Sequence, residues 1–264
     1  MTLFKKRKYI FTKRLDQLFS DLYSTVRFIL LFLKDGFSRP FHFKSILHQC
    51  YEIGIKSLPL ITLTGFIVGM VFTKQARPSL EDFGATSWLP SLMGIATIKA
   101  LGPLVTALIC AGKIGSGIGA ELGSMKVTEQ IEAMEVSSTA PFKYLVVTRI
   151  WATTVSITIL VFYCSFLMLL GSYFNVHTEE SSSMLTYFQN AFSTITFLDI
   201  FALIFKSVLY GFTIGIVGCY KGYHARQGTV GVGRAANQAV VTSMFLIFIE
   251  EVLVVQVAHW IRYF

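Results

Sequence analysis

Apolar residues gather into five long runs along this chain, approximately Ile55 to Phe72, Leu92 to Gly112 with an extension, Leu145 to Phe174, Ile195 to Tyr220 and Ala235 to Ala258. Each approaches or exceeds the ~20 helical residues that cross a hydrocarbon core. In lipid the backbone must satisfy its hydrogen bonds internally, so all five predict helices. Lys56 sits at the edge of the first run, where a lysine snorkels to the head groups. Upstream the pattern changes. Leu15, Leu18, Phe19, Leu22 and Val26 recur at helical spacing among Arg14, Asp16, Asp21 and Arg27, and the run Phe28 to Leu33 stops at Lys34-Asp35-Gly36, too short to span. Residues 10–48 therefore read as an amphipathic elbow lying in the interface plane, with a soluble helix pair as the alternative. The fold class is an all-α membrane protein, with a basic interfacial region over residues 1–52 and a five-helix transmembrane region over residues 53–264.

Composition agrees: of 264 residues, 53% are hydrophobic and 14% charged, where a soluble domain carries about 25% charge. That balance excludes disorder and a disulfide-stapled secreted module. The formal charge is +8, and eleven of the 23 Lys+Arg lie in residues 1–56, beginning with Lys5, Lys6, Arg7 and Lys8. A basic arm ahead of spans holds anionic lipid and sets orientation, so nucleic acid is not an expected partner. Residues 113–149 and 221–234 carry four and three more cations, whereas 175–194 carry none. Five crossings then place the N-terminus in the cytoplasm and the C-terminus outside. The four cysteines and five histidines are scattered, which predicts neither a disulfide framework nor a metal site. No h-region with a cleavage site follows the basic N-terminus, so no cleaved signal peptide is expected.

The stretch Ala111-Gly112-Lys113-Ile114-Gly115-Ser116-Gly117-Ile118-Gly119 lacks the spacing and the preceding strand of a phosphate loop. It reads instead as close helix packing, as do Gly65/Gly69, Gly115/Gly119, Gly211/Gly215 and Gly218/Gly222 at four-residue spacing. After it, Thr128 is expected to cap a short cytoplasmic helix with Glu129 and Glu132 in its first turn. Glu129, Glu132 and Glu135 fall on one side and Ile131 and Met134 on another. Such a helix is either a lid on the bundle or a docking element for a partner.

Three blocks carry a family resemblance: Leu101-Gly102-Pro103-Leu104-Val105-Thr106-Ala107-Leu108, then Ala111 to Ser116, then Ala120-Glu121-Leu122-Gly123-Ser124-Met125-Lys126-Val127-Thr128-Glu129-Gln130-Ile131-Glu132-Ala133-Met134. A further one is Gly218-Cys219-Tyr220-Lys221-Gly222 with Gly231-Val232-Gly233-Arg234-Ala235-Ala236 and Ala239-Val240-Val241-Thr242-Ser243. Over nearly its whole length the chain resembles the MlaE/YrbE permeases, the membrane subunits of MCE-type ABC transporters. The resemblance implies a homodimer in the bacterial inner membrane that moves phospholipid between inner and outer membranes and maintains outer-membrane lipid asymmetry. It also implies a cytoplasmic ABC ATPase beneath, which holds the ATP and Mg, and a periplasmic MCE-domain protein above; no cofactor and no catalysis are expected in this chain. The helix between spans 2 and 3 becomes a coupling helix, with Glu121, Met125, Thr128, Glu129, Gln130, Glu132, Ala133 and Met134 as docking candidates.

Ionisable groups inside spans are costly and few: Lys99, Asp199, Lys206, Glu250 and Glu251. Asp199 and Lys206 are too far apart on one helix to pair without a third group. The expected arrangement pairs Lys206 with Glu250 and turns Lys99 toward a lipid phosphate in a cavity at the dimer seam; structural pairing within each bundle is the alternative. The resemblance adds charged residues at the positions of Lys206, Arg234 and Glu250, the last usually Asp, and one departure, Ala100 where members commonly have an acidic residue before Leu-Gly-Pro. Val68, Val71, Phe72, Leu101, Leu104 and Val105 are candidates for an acyl-chain cavity beside Lys99. Two other functions stay open on residues alone: an ion-coupled secondary transporter of an amphipathic substrate, favoured by the intramembrane charges, and a lipid-modifying enzyme.

Overall fold

The computed structural model describes residues 23–36, 38, 42–180, 182–226 and 228–263, and the elements among them are all helical. Helix α1 covers residues 23–36. Helix α2 (Phe43–Gly54) runs through a 3-10 turn (Ile55–Ser57) into α3 (Leu58–Asp82). A second continuous stretch joins α4 (Leu89–Ala96), α5 (Gly102–Cys110) and α6 (Ser116–Val127) through π-helical turns at Thr97–Leu101 and Ala111–Gly115. After the short α7 (Gln130–Val136) come α8 (Thr148–Glu180), α9 (Met184–Ser193), α10 (Phe197–Tyr223) and α11 (Thr229–Tyr263).

Five stretches are long and apolar enough to cross a membrane, Phe43–Asp82, Thr86–Val127, Phe142–Glu179, Phe197–Tyr223 and Thr229–Ile261, and the chain is a multi-pass membrane protein. Four of the five outrun the apolar runs at both ends. Glu52 and Lys56 show why for the first: they pair across one turn of the stretch, so the charges mark the edge of the hydrocarbon and not the end of the helix. The fourth span starts at Phe197, two residues later than its apolar run. Thr196 and Asp199 form a reciprocal capping box there.

Helix α8 is central and packs against α2, α3, α5 and α10, while α10 also meets α6 and α11. Lipid supplies little drive for helices to associate, so close contact decides. A Cβ on Gly69 would lie 2.0 Å from the Met168 carbonyl oxygen, and one on Gly171 would lie 2.2 Å from that of Phe66. Backbone therefore meets backbone between α3 and α8. The glycine pairs at four-residue spacing fill seams of this kind inside one chain: Gly65/Gly69 and Gly211/Gly215 against α8, Gly218/Gly222 against α6.

Of the amphipathic N-terminal stripe, Leu15, Leu18, Phe19 and Leu22 lie outside the described residues. Helix α1 buries Phe28 and Phe32, one turn apart, against aromatic rings of α8, α10 and their neighbours: Phe142 and Tyr220 for Phe28, Trp151 and Phe212 for Phe32. A second, small core lies at the end of the bundle opposite α7, where Leu89 and Met93 of α4 meet Val176 of α8 and Tyr187 and Ala191 of α9. Tyr187 donates to Ser172 Oγ at 2.6 Å and Thr73 donates to the same oxygen at 2.7 Å, tying α3, α8 and α9 together.

Candidate functional site

Two features stand out, one at each end of the bundle. At the first, α6 ends and the chain turns sharply into α7. The capping expectation for Thr128 is overturned: its hydroxyl donates backward to the Ser124 carbonyl at 2.9 Å and closes α6, and α7 begins only at Gln130. Glu129 takes the position ahead of α7 in the left-handed region, φ 59°. Ser138, just past its other end, has the same φ. Non-glycine residues adopt this conformation at a cost of about 1 kcal/mol or more, so α7 is set off from both neighbours by two costly turns.

Ile131 is fully buried and Met134 packs on the main core, while Thr128, Glu129, Gln130, Ala133 and Val136 face outward. Lys126 of α6 is ion-paired with Glu132, and that hydrogen bond holds the Glu132 carboxyl below the usual carboxylate range. The two remaining docking candidates are placed differently. Met125 lies on α6 against the core. Glu121 is also on α6 and binds Arg149, whose Nη2 is 2.6 Å from Glu121 Oε1 and whose Nη1 donates to the Leu145 carbonyl at 2.9 Å. Arg149 is buried and braces α6 against α8 behind α7; in the sequence it was only one cation among four.

At the opposite end, charged groups of three spans form a chain. Lys206 of α10, 3% exposed, donates to Glu251 Oε1 at 2.6 Å, and the Tyr210 hydroxyl donates to the other Glu251 oxygen. The expected partner Glu250 points elsewhere and accepts from Thr213. Successive residues lie about 100° apart around a helix, so only the packing of α11 decides which carboxylate meets Lys206. Lys99 Nζ is 3.1 Å from Asp199 Oδ1, and Asp199 Oδ2 accepts from Thr196 N at 3.0 Å and Oγ1 at 2.8 Å.

Pro103 links the two pairs. In an α-helix its N–H would bond the carbonyl of residue 99, and proline has none. The π-helical turn Thr97–Leu101 sits there, and the Lys99 carbonyl accepts from Lys206 Nζ at 2.9 Å instead. Lys99, Asp199, Lys206 and His259 line a half-open groove of about 180 Å³ with apolar walls that include Leu198 and Val255. That volume suits a polar head group and is too small for two acyl chains.

The other pocket candidates do not gather around Lys99. Val68, Leu101, Leu104 and Val105 pack against the main core, Phe72 against the small one, and Val71 is exposed. Arg234 is not in the buried network either: it is exposed in α11 at the α7 end. Among the described residues no group of three or more His, Cys, Asp or Glu side chains is placed to hold a metal ion.

Comparison with known proteins fits this geometry. The family model described as Permease MlaE matches residues 46–257. A probable ABC transporter permease of Rickettsia typhi is 33% identical over 217 residues, covering 82% of this chain and 84% of that protein. One of Synechocystis is 36% identical over 213 residues, covering 79% of each. The intermembrane phospholipid transport system permease MlaE of Haemophilus influenzae is 30% identical over 209 residues, 78% of this chain and 79% of that protein. With a match across most of its length, five spans and an outlying helix between the second and third, the chain belongs to the MlaE permease family.

Proposed function

We propose that this chain is the membrane subunit of an ABC transporter that carries phospholipid between the inner and outer membranes. A permease of this kind works with a separate ATPase, which holds the ATP and Mg and hydrolyses the nucleotide. The Haemophilus relative's name supplies the substrate class, and the groove lends support: a lysine and its carboxylate at a half-open mouth, backed by apolar walls, suit a zwitterionic or anionic head group. The chain resides in the bacterial inner membrane as a homodimer, with the α7 end in the cytoplasm, the groove end in the periplasm and an MCE-domain protein above it. The cation-rich segments at the α7 end favour that orientation.

One observation carries the mechanism: a single helical stretch, Thr86–Val127, bears Lys99 about a third of the way along and leads into α7 at its far end. The separation is about 42 Å along the axis. When the ATPase closes, it pushes the outward face of α7. Ile131 and the Lys126–Glu132 pair pass the displacement to α6, and the Glu121–Arg149 pair passes it to α8. Span 2 then shifts the Lys99 carbonyl against Lys206, changing the groove where the head group sits. This chain supplies the lever and the cavity and makes no covalent bond.

The test pairs Ala133→Arg on the outward face of α7 with Lys99→Gln in the groove, each in membranes with the ATPase. Ala133→Arg is expected to abolish copurification of the ATPase, and Lys99→Gln to spare it and lower phospholipid transfer. Full transfer in both variants would refute the reading.

A further inference from the structure

Lys221 and His224 close the end of α10, Arg226 lies in the turn that follows, and Arg234 lies near the start of α11. All four line one cavity of about 690 Å³ at the α7 end, on the side of the bundle where Thr25 of α1 meets α10 and α11. No carboxylate among the described residues lines it. Among the described residues no ion pair involves Lys221, Arg226 or Arg234. The His224 ring turns its Nδ1 to the Tyr220 carbonyl at 2.9 Å, and the Lys221 ammonium lies 5.9 Å from the Tyr220 ring centre. Three cations with no counter-charge among the described residues, gathered in a concavity at the edge of a low-dielectric bundle, repel one another unless an anion joins them.

The rest of the lining says what kind of anion. Along α11 the cavity continues from Arg234 to Gln238 and Thr242, each one turn further on. Beside this stripe Val241 and Phe245 are 61% and 65% exposed. Cations come first, then hydrogen-bonding side chains, then an outward apolar face. A phospholipid presents its phosphate, ester and acyl groups in that order. Inorganic phosphate would use only the first of the three.

We propose that this cavity binds an anionic phospholipid from the leaflet at the α7 end. Its phosphate lies among Lys221, Arg226 and Arg234, its ester region along Gln238 and Thr242, and its chains against Val241 and Phe245. The site is distinct from the groove at Lys99 and Asp199, which lies at the other end of the bundle, and it does not depend on what that groove transports. Basic pockets between spans hold anionic head groups through these forces, with each cation worth about fivefold in affinity.

The experiment uses the full chain, extracted from nanodiscs of equal phosphatidylglycerol and phosphatidylcholine and examined by native mass spectrometry. Wild type is expected to retain phosphatidylglycerol in preference to phosphatidylcholine. The triple variant Lys221→Gln/Arg226→Gln/Arg234→Gln should lose that preference, by about fivefold for each cation removed. Arg226→Lys/Arg234→Lys should keep it. If the triple variant aggregates, Arg234→Gln alone is read, with an expected fivefold loss. Equal retention of the two lipids by wild type, or an unchanged preference in monodisperse triple variant, would overturn the proposal. So would displacement of the lipid by millimolar inorganic phosphate, which would assign a soluble-anion site. Loss of a copurifying protein with lipid retention intact would assign the surface to a protein partner and overturn it equally.

Discussion

Replacing Lys206 by Met removes the cation from the middle of the charged chain while keeping its length and packing. Lys206 is 3% exposed and the Glu251 side chain 14% exposed, so solvent cannot substitute for the lost partner. Among the described residues Glu251 retains only the Tyr210 hydroxyl, and the Lys99 carbonyl loses its donor. Breaking a buried pair on one side costs about 3–5 kcal/mol, and the orphaned carbonyl adds about 1 kcal/mol or more. Adding Glu251→Gln neutralises the stranded charge yet leaves an oxygen for Tyr210, so Lys206→Met/Glu251→Gln should recover about 2–3 kcal/mol of the loss. The assay is reversible unfolding of the single, the single Glu251→Gln and the double variant in bilayer discs, closed as a double-mutant cycle. Lys206→Met/Glu250→Gln is the control and should recover nothing, because Glu250 bonds Thr213 and not Lys206. Additive losses in the first cycle, or recovery in the control, would refute the pairing.

Gly69→Leu places a side chain where a Cβ alone would lie 2.0 Å from the Met168 carbonyl; the α3–α8 seam should open at a cost exceeding the usual 1–3 kcal/mol of overpacking, read as loss of monodisperse protein. Arg149→Ala should destabilise the fold by about 1–3 kcal/mol, mostly through the lost bond to the Leu145 carbonyl and lost packing, since Glu121 is 55% exposed and its share is screened. Hydrogen exchange should show α7 loosening in that variant before the spans do. The Glu132 carboxyl is held below the ordinary range by Lys126, so its contribution is complete above the ordinary glutamate pKa and is lost as pH falls through the depressed folded value. The protection of α7 against exchange, relative to the intrinsic amide rate at each pH, should therefore fall at acid pH, and Lys126→Gln should remove that dependence.

The spans were legible because lipid leaves the backbone no alternative to a helix, so an apolar run of sufficient length specifies one. Their ends were not, because Glu52 and Lys56 pair along a helix that continues past the hydrocarbon. Family resemblance and pattern together located α7, with Ile131 buried and Glu129 and Glu135 outward. Thr128 misled because its hydroxyl can serve the helix on either side, and it serves α6. Helix α9 lies between the third and fourth apolar runs, where the sequence reading places no helix, although Met184, Tyr187, Phe188 and Ala191 have helical spacing. The groove was half legible. Lys99, Asp199 and Lys206 were singled out, but Lys99 pairs with Asp199, and Lys206 turns to a neighbouring carboxylate and to a carbonyl. That carbonyl had a readable signal in Pro103, four residues after Lys99.

The claim that motion of α7 reaches the charged groove through span 2 is tested most directly by a distance across that groove. Spin labels at Ala202→Cys and Ala258→Cys, both lining it, would be placed in a chain whose four native cysteines are replaced and which is reconstituted with its ATPase. Pulsed dipolar spectroscopy then compares the nucleotide-free and vanadate-trapped states. The distribution should shift on trapping and should stay fixed when Ala133→Arg is added on the far side of the membrane. A shift that survives Ala133→Arg, or a static distance in a transporter that still moves phospholipid, would contradict the account.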